Sequence, residues 1–183
     1  ATVKNGEIQV TANPYSGTYD GAAHGISVSC SGATIKYGTA SGSYTLTSSP
    51  TYTNVGTYQV YYKVTKNNYN PVTGSAIVKI TPKSISNVAL SLDTNTYTYD
   101  GNQKKPTPTV MDGTTVLKNG THYTVAYSNN ENAGTATVTV SGIGNYTGQK
   151  SITFTIEKAT PKITLSKTTE TINVDDTTAF TAS

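Results

Sequence analysis

The sequence predicts an all-β chain made of two tandem antiparallel β-sandwich domains and the truncated start of a third. Charged residues make up only 13% of the 183 residues, against roughly 25% in an average soluble domain. Thr occurs 36 times and Tyr 14 times, and both fit the pleated, half-buried surface of a sheet. The triplet Tyr-Asp-Gly occurs twice, at residues 19–21 and 99–101, which indicates that one domain is repeated.

The residues that follow each triplet repeat in the same order. Asn54-Val55-Gly56-Thr57 corresponds to Asn132-Ala133-Gly134-Thr135, Asn68-Tyr69 to Asn145-Tyr146, and Ile80 to Ile156. Ordered anchors with slowly drifting offsets indicate an internal duplication. We therefore predict a first repeat domain at residues 1–81, a second at 82–158 and a truncated third at 159–183. The two copies should share one strand order, with differences confined to residues 22–53 and 102–131, because loops vary more readily than strands.

Alternation of apolar and polar residues places the strands of the first repeat. Strands are predicted at residues 8–12, 26–30 and 35–37, at 57–65, and in the closing segment that ends at Ile80. In the longest of these, Tyr58, Val60, Tyr62 and Val64 share the core face, while Tyr61 points away from it.

In the second repeat the predicted strands cover residues 88–92, 109–111, 115–117, 123–127, 136–140 and 152–156. Asp112-Gly113 predicts a hairpin between two of them. Pro106 and Pro108 favour an edge or a loop. A β-grasp-like sheet is the alternative fold, but it requires a helix, and no segment has the apolar period of 3.6 residues.

The repeated Asp-Gly has two interpretations. Asp20-Gly21 and Asp100-Gly101 are typical of turns, because Gly accepts a positive φ and the carboxylate accepts nearby backbone N–H groups. A calcium site is the other interpretation. The ten acidic residues do not cluster as a calcium loop requires, so the turn is predicted.

Charge and composition argue against several functions. Thirteen scattered lysines and no arginine differ from the clustered, Arg-rich surfaces of nucleic-acid-binding proteins. No apolar run approaches the roughly 20 residues of a membrane helix. We expect neither a nucleic-acid partner nor membrane insertion. No signal peptide is visible, so the chain is interpreted as mature or as an excised fragment.

No catalytic or metal constellation is predicted. Cys30 is the single cysteine and is interpreted as a small buried apolar residue. His24 and His122 lack metal-binding spacing with Cys, Asp or Glu, and no third group that would orient a base repeats with them. We therefore expect no enzyme activity, no metal and no cofactor.

The repeated motifs resemble a known family. Tyr19-Asp20-Gly21, Asn54-Val55-Gly56-Thr57-Tyr58, Asn68-Tyr69 and the closing strand, with their counterparts in the second copy, resemble the MBG/YDG-type repeats of bacterial surface proteins. Residues 162–182 resemble the opening of a group 2 bacterial Ig-like domain, although Asp175-Asp176 stands where that family usually has Gly-Asp. The resemblance implies an Ig-like, extracellular, tandemly repeated module in a secreted or cell-wall-attached protein, with no common catalytic residues.

Two functions remain open at this level. The first is a spacer whose partners are the neighbouring domains of the same surface protein. The second is an adhesin module that binds a glycan or a host protein through exposed tyrosines, which can stack on sugar rings. Tyr44 and Tyr61 are the candidate ligand-binding residues, because Tyr61 points away from the core and Tyr44 lies in a long connection.

The segment 159–183 is too short to bury a core of its own. Its strand-like alternation would leave an exposed edge, and such an edge tends to find a partner. Three outcomes are open: disorder, packing on the second copy, or exchange with another chain. We expect the segment to be held by contact with a neighbouring molecule.

Overall fold

The computed structural model describes residues 7–162, and within them every regular element is a β-strand except for one 3-10 turn at Ile85–Asn87. The all-β prediction is confirmed. The α-helix that the β-grasp alternative requires is absent from this described part of the chain. The predictions for the third domain and for its contact with a neighbouring molecule lie outside the described residues.

The first repeat forms two sheets. Its strands are β1 (Thr11–Asn13), β2 (Tyr15–Thr18), β3 (Ser27–Ser29), β4 (Thr34–Gly38), β5 (Gly56–Thr65) and β6 (Val72–Thr81). A small sheet pairs β1 with β3, and a four-stranded sheet has the order β2-β6-β5-β4.

The second repeat has the same order. Its strands are β7 (Lys83–Ser84), β8 (Ala89–Leu92), β9 (Thr96–Thr98), β10 (Pro108–Asp112), β11 (Thr115–Val116), β12 (Tyr123–Ser128), β13 (Gly134–Gly142), β14 (Tyr146–Thr147) and β15 (Gln149–Glu157). The four-stranded sheet has the order β9-β15-β13-β12, and β8 pairs with β10. The predicted common strand order is confirmed. The differences are not confined to residues 22–53 and 102–131, because β7 also pairs in parallel with β14, a sheet without a counterpart among the described residues of the first repeat. The additional strand β11 joins β10 through the predicted hairpin, in which Gly113 has φ 59°.

The two sheets of each repeat enclose a shared core. In the first repeat Val28 of the small sheet packs with Val60, Val64 and Val78 of the large sheet. Val60 and Val64 are fully buried, which confirms the predicted core face of β5. The core of the second repeat divides into two clusters, one around Val110 and Val140 and one around Val138, Phe154 and Ile156.

The sandwiches are not purely antiparallel, which corrects the prediction. β2 runs parallel to β6, with Gly17 opposite Ile80, and β9 runs parallel to β15, with Tyr97 opposite Ile156. Parallel neighbours need a long crossover. Here the strands in between supply it, because the strand before each Tyr-Asp-Gly turn lies near the start of the repeat and its partner closes the repeat.

The bounds of one predicted strand are also corrected. The first strand covers Thr11–Asn13 rather than residues 8–12, because Thr11 is opposite Ser29 and the preceding residues extend past the end of β3. Pro108 is the first residue of β10 and pairs only with Leu92 of β8, because β11 pairs with Met111 and Asp112 further along the strand. Pro108 is therefore part of a strand, at a position that has a strand neighbour on one side only, where Pro is tolerated.

Candidate functional site

The two predicted ligand-binding tyrosines both lie in the first repeat. Tyr61 is half-buried on the outer face of β5, and Tyr44 is half-buried in the connection between β4 and β5. Gly38 is opposite Tyr61, and a side chain at position 38 would collide with the carbonyl oxygen of Ser43. Leu46, in the same connection, exchanges two backbone hydrogen bonds with Tyr37. The connection that carries Tyr44 therefore runs along the edge of β4 that faces away from β5, and β4 separates it from Tyr61. Neither tyrosine lines the cavities described below, and ligand binding here stays a prediction.

Both Tyr-Asp-Gly motifs form the predicted turn. The Asp20 carboxylate accepts the Ala22 N–H at 2.8 Å, and the Asp100 carboxylate accepts the Asn102 N–H at 2.9 Å. The glycine that follows each aspartate has φ near 80°. A side chain that bonds the backbone two residues ahead is the Asx turn for which Asp is favoured.

A basic residue lies four positions after each of these aspartates. His24 Nε2 lies 2.9 Å from Asp20 Oδ1, and Lys104 Nζ pairs with Asp100. The hydrogen bond from His24 lowers the pKa of Asp20, and the one from Lys104 lowers the pKa of Asp100. The His24 ring also stacks on Tyr15 at 3.9 Å between centroids, so its interactions support the turn.

The junction between the repeats is organised by Asn145. Its Oδ1 accepts the Val55 N–H at 2.8 Å, and its Nδ2 donates to Asn54 Oδ1 at 3.0 Å. Its backbone carbonyl accepts the Lys83 N–H at 3.0 Å. One residue of the second repeat therefore binds the strand-opening loop of the first repeat and the segment that connects the two.

Aromatic packing continues this contact. The ring of Tyr19, from the first Tyr-Asp-Gly turn, meets the edge of Tyr146 at 5.7 Å between centroids. His122 contacts the same ring at 5.7 Å. Tyr146 is only 6% exposed and belongs to the second repeat's core, against which Tyr19 packs. The first repeat thus contributes an apolar side chain to the core of the second.

An ion pair also holds the hydroxyl group of Tyr146. The two Asp112 carboxylate oxygens lie 2.8 and 2.7 Å from Lys83 Nζ, and Tyr146 Oη donates to Asp112 at 3.0 Å. The Lys83 hydrogen bond lowers the pKa of Asp112. Burial, with the neighbouring Asp112 carboxylate, raises the pKa of Tyr146 to about 12. Lys83 directly follows the linker proline, so this ion pair fixes the chain where it enters the second repeat.

A cavity of about 580 Å³ opens at the junction, between Tyr19, Asn54 and Val55 on one side and Thr121, His122, Gly144 and Asn145 on the other. A second cavity of about 490 Å³ lies at the opposite end of the second repeat, beside Tyr99 and Asn132. A third, of about 260 Å³, includes Cys30, Lys66 and Tyr69.

The candidate nucleophile and bases are not brought together. His122 lies at the junction, where its Nδ1 accepts the Lys118 N–H at 2.9 Å, whereas His24 is held by Asp20. Cys30 is half-buried in the third cavity, whose lining includes neither histidine. Within residues 7–162 no group of three His, Cys, Asp or Glu side chains could hold a metal ion.

The sequence predicts the turns but not the junction. Asn54 and Asn145 are recognisable in it only as repeated turn residues, and which turn of one repeat meets which turn of the next depends on the packing of the two domains. The pairs Asp20–His24 and Asp100–Lys104 are detectable, because a basic residue follows each Asp-Gly at one spacing.

Comparison with known proteins adds only distant structural likeness. No protein-family model matches the chain, and no curated protein is significantly similar to it. A solved structure of PcdhgB3 EC1-4 is similar at 12% identity with a TM-score of 0.30, over 84% of this chain and 50% of that chain. The chain spans about half the length of that structure, and a likeness of this size carries no functional argument. Among the described residues, no helix has the length and apolar character needed to cross a membrane.

Proposed function

We propose that the chain is a non-catalytic extracellular spacer of a bacterial surface or secreted protein, in which two β-sandwiches are held end to end in one fixed arrangement. The observation that carries this proposal is the Asn145 side chain, which binds Asn54 and Val55 across the junction. The resemblance of the chain to MBG/YDG-type repeats supports the extracellular, wall-attached setting.

A fixed junction is what a spacer requires. Domains joined by a flexible linker move independently unless their interface restrains them. Here two contacts cross the junction: the Asn145 amide bonds to Asn54 and Val55, and the ring contact between Tyr19 and Tyr146. The Lys83–Asp112 ion pair lies within the second repeat and holds its first residues in place. The two contacts across the junction oppose movement of one repeat against the other.

The spacer function is tested by placing the chain between a cell-wall anchor and a fluorescent reporter. The distribution of the reporter's height above the wall is compared with that given by a Gly-Ser linker of equal residue number, which behaves as a flexible coil. We expect the chain to give a narrow distribution of heights, the linker a broad one, and Asn145→Ala to broaden the distribution given by the chain. Equally broad distributions for the chain and the linker would contradict the spacer function.

The non-catalytic part of the proposal has its own test. It is supported by the separation of His24, His122 and Cys30. Turnover of an ester, peptide or glycoside substrate by the purified chain, abolished by substituting one of these three residues, would contradict it.

A glycan- or host-protein-binding module is the second candidate. The observation that favours it is that both tyrosines are only half-buried, Tyr61 on the outer face of β5 and Tyr44 in the connection beside β4. Exposed tyrosine faces can stack on sugar rings. Tyr44→Ala and Tyr61→Ala should abolish retention on a glycan array without lowering the melting temperature. Unchanged retention in both variants would exclude this site.

A further inference from the structure

The far end of the second repeat carries an open cavity of about 490 Å³. It is lined by Tyr99, Asn132, Ala133, Lys158, Ala159 and Pro161. The side chains of Tyr99, Asn132 and Ala133 are exposed there. Tyr99 is one of only a few large apolar or aromatic side chains with high exposure among the described residues, at 39%.

This cavity occupies the place in the second repeat that the junction surface occupies in the first. Tyr99 and Tyr19 both begin a Tyr-Asp-Gly turn. The Tyr19 N–H donates to the backbone carbonyl of Thr81 at 2.8 Å, and the Tyr99 N–H donates to that of Glu157 at 2.8 Å. Each acceptor directly follows the last core isoleucine of the closing strand, Ile80 or Ile156.

The loop beside it is also equivalent. Asn132-Ala133 opens β13 as Asn54-Val55 opens β5. In the first repeat the Val55 N–H is bound by Asn145 of the following domain. The corresponding Ala133 N–H has no acceptor within the described part of the chain. The second repeat therefore presents the ring and the backbone donor that the first repeat uses to hold its neighbour.

We propose that Tyr99, Asn132 and Ala133 form a docking socket, and that its occupant is the segment of this same chain that follows it, residues 163–183, as the start of the next module. The proposal extends the spacer function from one junction to the next, and it rests on that function only in taking the first junction as the pattern.

Position favours this occupant over a second copy of the chain. The socket is lined in part by Lys158, Ala159 and Pro161, so the segment that follows them starts at the socket itself. Each residue after Pro161 extends the chain by at most about 3.3–3.6 Å. A tethered segment has an effective concentration near the millimolar range, which a second copy at micromolar concentration does not reach.

The chemistry of the segment is also suitable. It carries Glu170, Asp175 and Asp176 against a single Lys167, while the socket contributes Lys158. Its apolar residues Ile163 and Leu165 alternate with polar ones. Such a segment can offer both an apolar face to Tyr99 and an acceptor to the Ala133 N–H.

The test uses the absence of tryptophan from the chain. Tyr99→Trp places a single indole fluorophore in the socket, and its emission wavelength and acrylamide quenching are measured in the full chain and in a chain ending at Lys162. Residues 7–162 contain all the described strands and the three core clusters, so the shorter chain keeps the folded repeats. Tyr19→Trp in both chains is the matched control, since its neighbours Asn145 and Tyr146 are present in each.

We expect the indole of the Tyr99→Trp variant to emit at shorter wavelength in the full chain and to be protected from acrylamide, independently of protein concentration. Truncation should remove that protection. Ala133→Glu should also remove it, because it places a carboxylate beside the acidic segment. Thr115→Glu is the control for the added charge, since Thr115 lies on the exposed strand β11, and it should leave the protection unchanged. Equal quenching in the two chains would overturn the proposal. Protection that grows with protein concentration would also overturn it, by assigning the socket to a second copy. Neither result bears on the first junction, which the Tyr19→Trp variant reports separately.

Discussion

Asn145→Ala should release the two repeats from their fixed arrangement while leaving each repeat folded. The substitution removes the hydrogen bonds to the Val55 N–H and to Asn54 Oδ1. Each such bond contributes about 0.5–1.5 kcal/mol, so the docked state loses about 1–3 kcal/mol. The ratio of undocked to docked molecules should rise by about 5-fold to 150-fold.

Distances between spin labels measure this change directly. Labels at Thr73→Cys on β6 and Thr109→Cys on β10 report the separation of the repeats, with Cys30→Ser in every variant so that only these two thiols react. Both label sites are exposed. Asn132→Ala is the matched control, because it removes the second repeat's counterpart of Asn54 and lies outside this junction.

We expect one narrow distance distribution in the parent chain and in Asn132→Ala, and a broad one in Asn145→Ala. A narrow distribution in Asn145→Ala would refute the argument that this side chain holds the junction. Loss of either repeat's circular dichroism or melting transition would show instead that Asn145 is required for folding.

Four further outcomes follow from the second repeat's core and from the sheets. Asp112 has a lowered pKa in the folded state, so its stabilising effect should be complete above pH 3.8, its ordinary pKa, and be lost as pH falls below that value. Asp112→Asn should make the free energy of unfolding less dependent on pH in this acid range. Tyr146 has its pKa raised to about 12 in the folded state. Its contribution to the free energy of unfolding should therefore be complete below pH 10 and be lost as pH rises towards 12. Each pKa unit between the folded and the unfolded chain corresponds to about 1.4 kcal/mol. Ile85 is fully buried, and Ile85→Ala should lower the free energy of unfolding of the second repeat by about 2–5 kcal/mol in urea titrations. Gly38→Ala should lower that of the first repeat by about 1–3 kcal/mol, because the new methyl group would collide with the Ser43 carbonyl and overpacking has costs of this size; an unchanged urea midpoint in either variant would contradict the corresponding prediction.

The fold was predictable where local pattern determines structure. Alternation assigned Val60 and Val64 to the core, and both are fully buried. The Asp-Gly dipeptides predicted turns because the backbone conformation they favour is local. The order of the repeated anchors was sufficient to predict a shared strand order.

The features that sequence could not supply depend on distant segments. The parallel pairing of β2 with β6 joins strands from opposite ends of a repeat, and alternation contains no information about strand direction. The Lys83–Asp112 pair joins residues 29 positions apart, and the bond between Asn54 and Asn145 spans 91. Each exists only after the sandwiches have formed and packed, so no local motif marks it.

The central claim is that the two repeats form one rigid body, and residual dipolar couplings of the backbone amides test it most directly. One alignment tensor should fit the amides of residues 7–81 and those of residues 82–158 together, with no loss of agreement relative to separate fits. Two tensors that differ clearly in magnitude or orientation would show that the repeats move independently, and would contradict the proposed spacer.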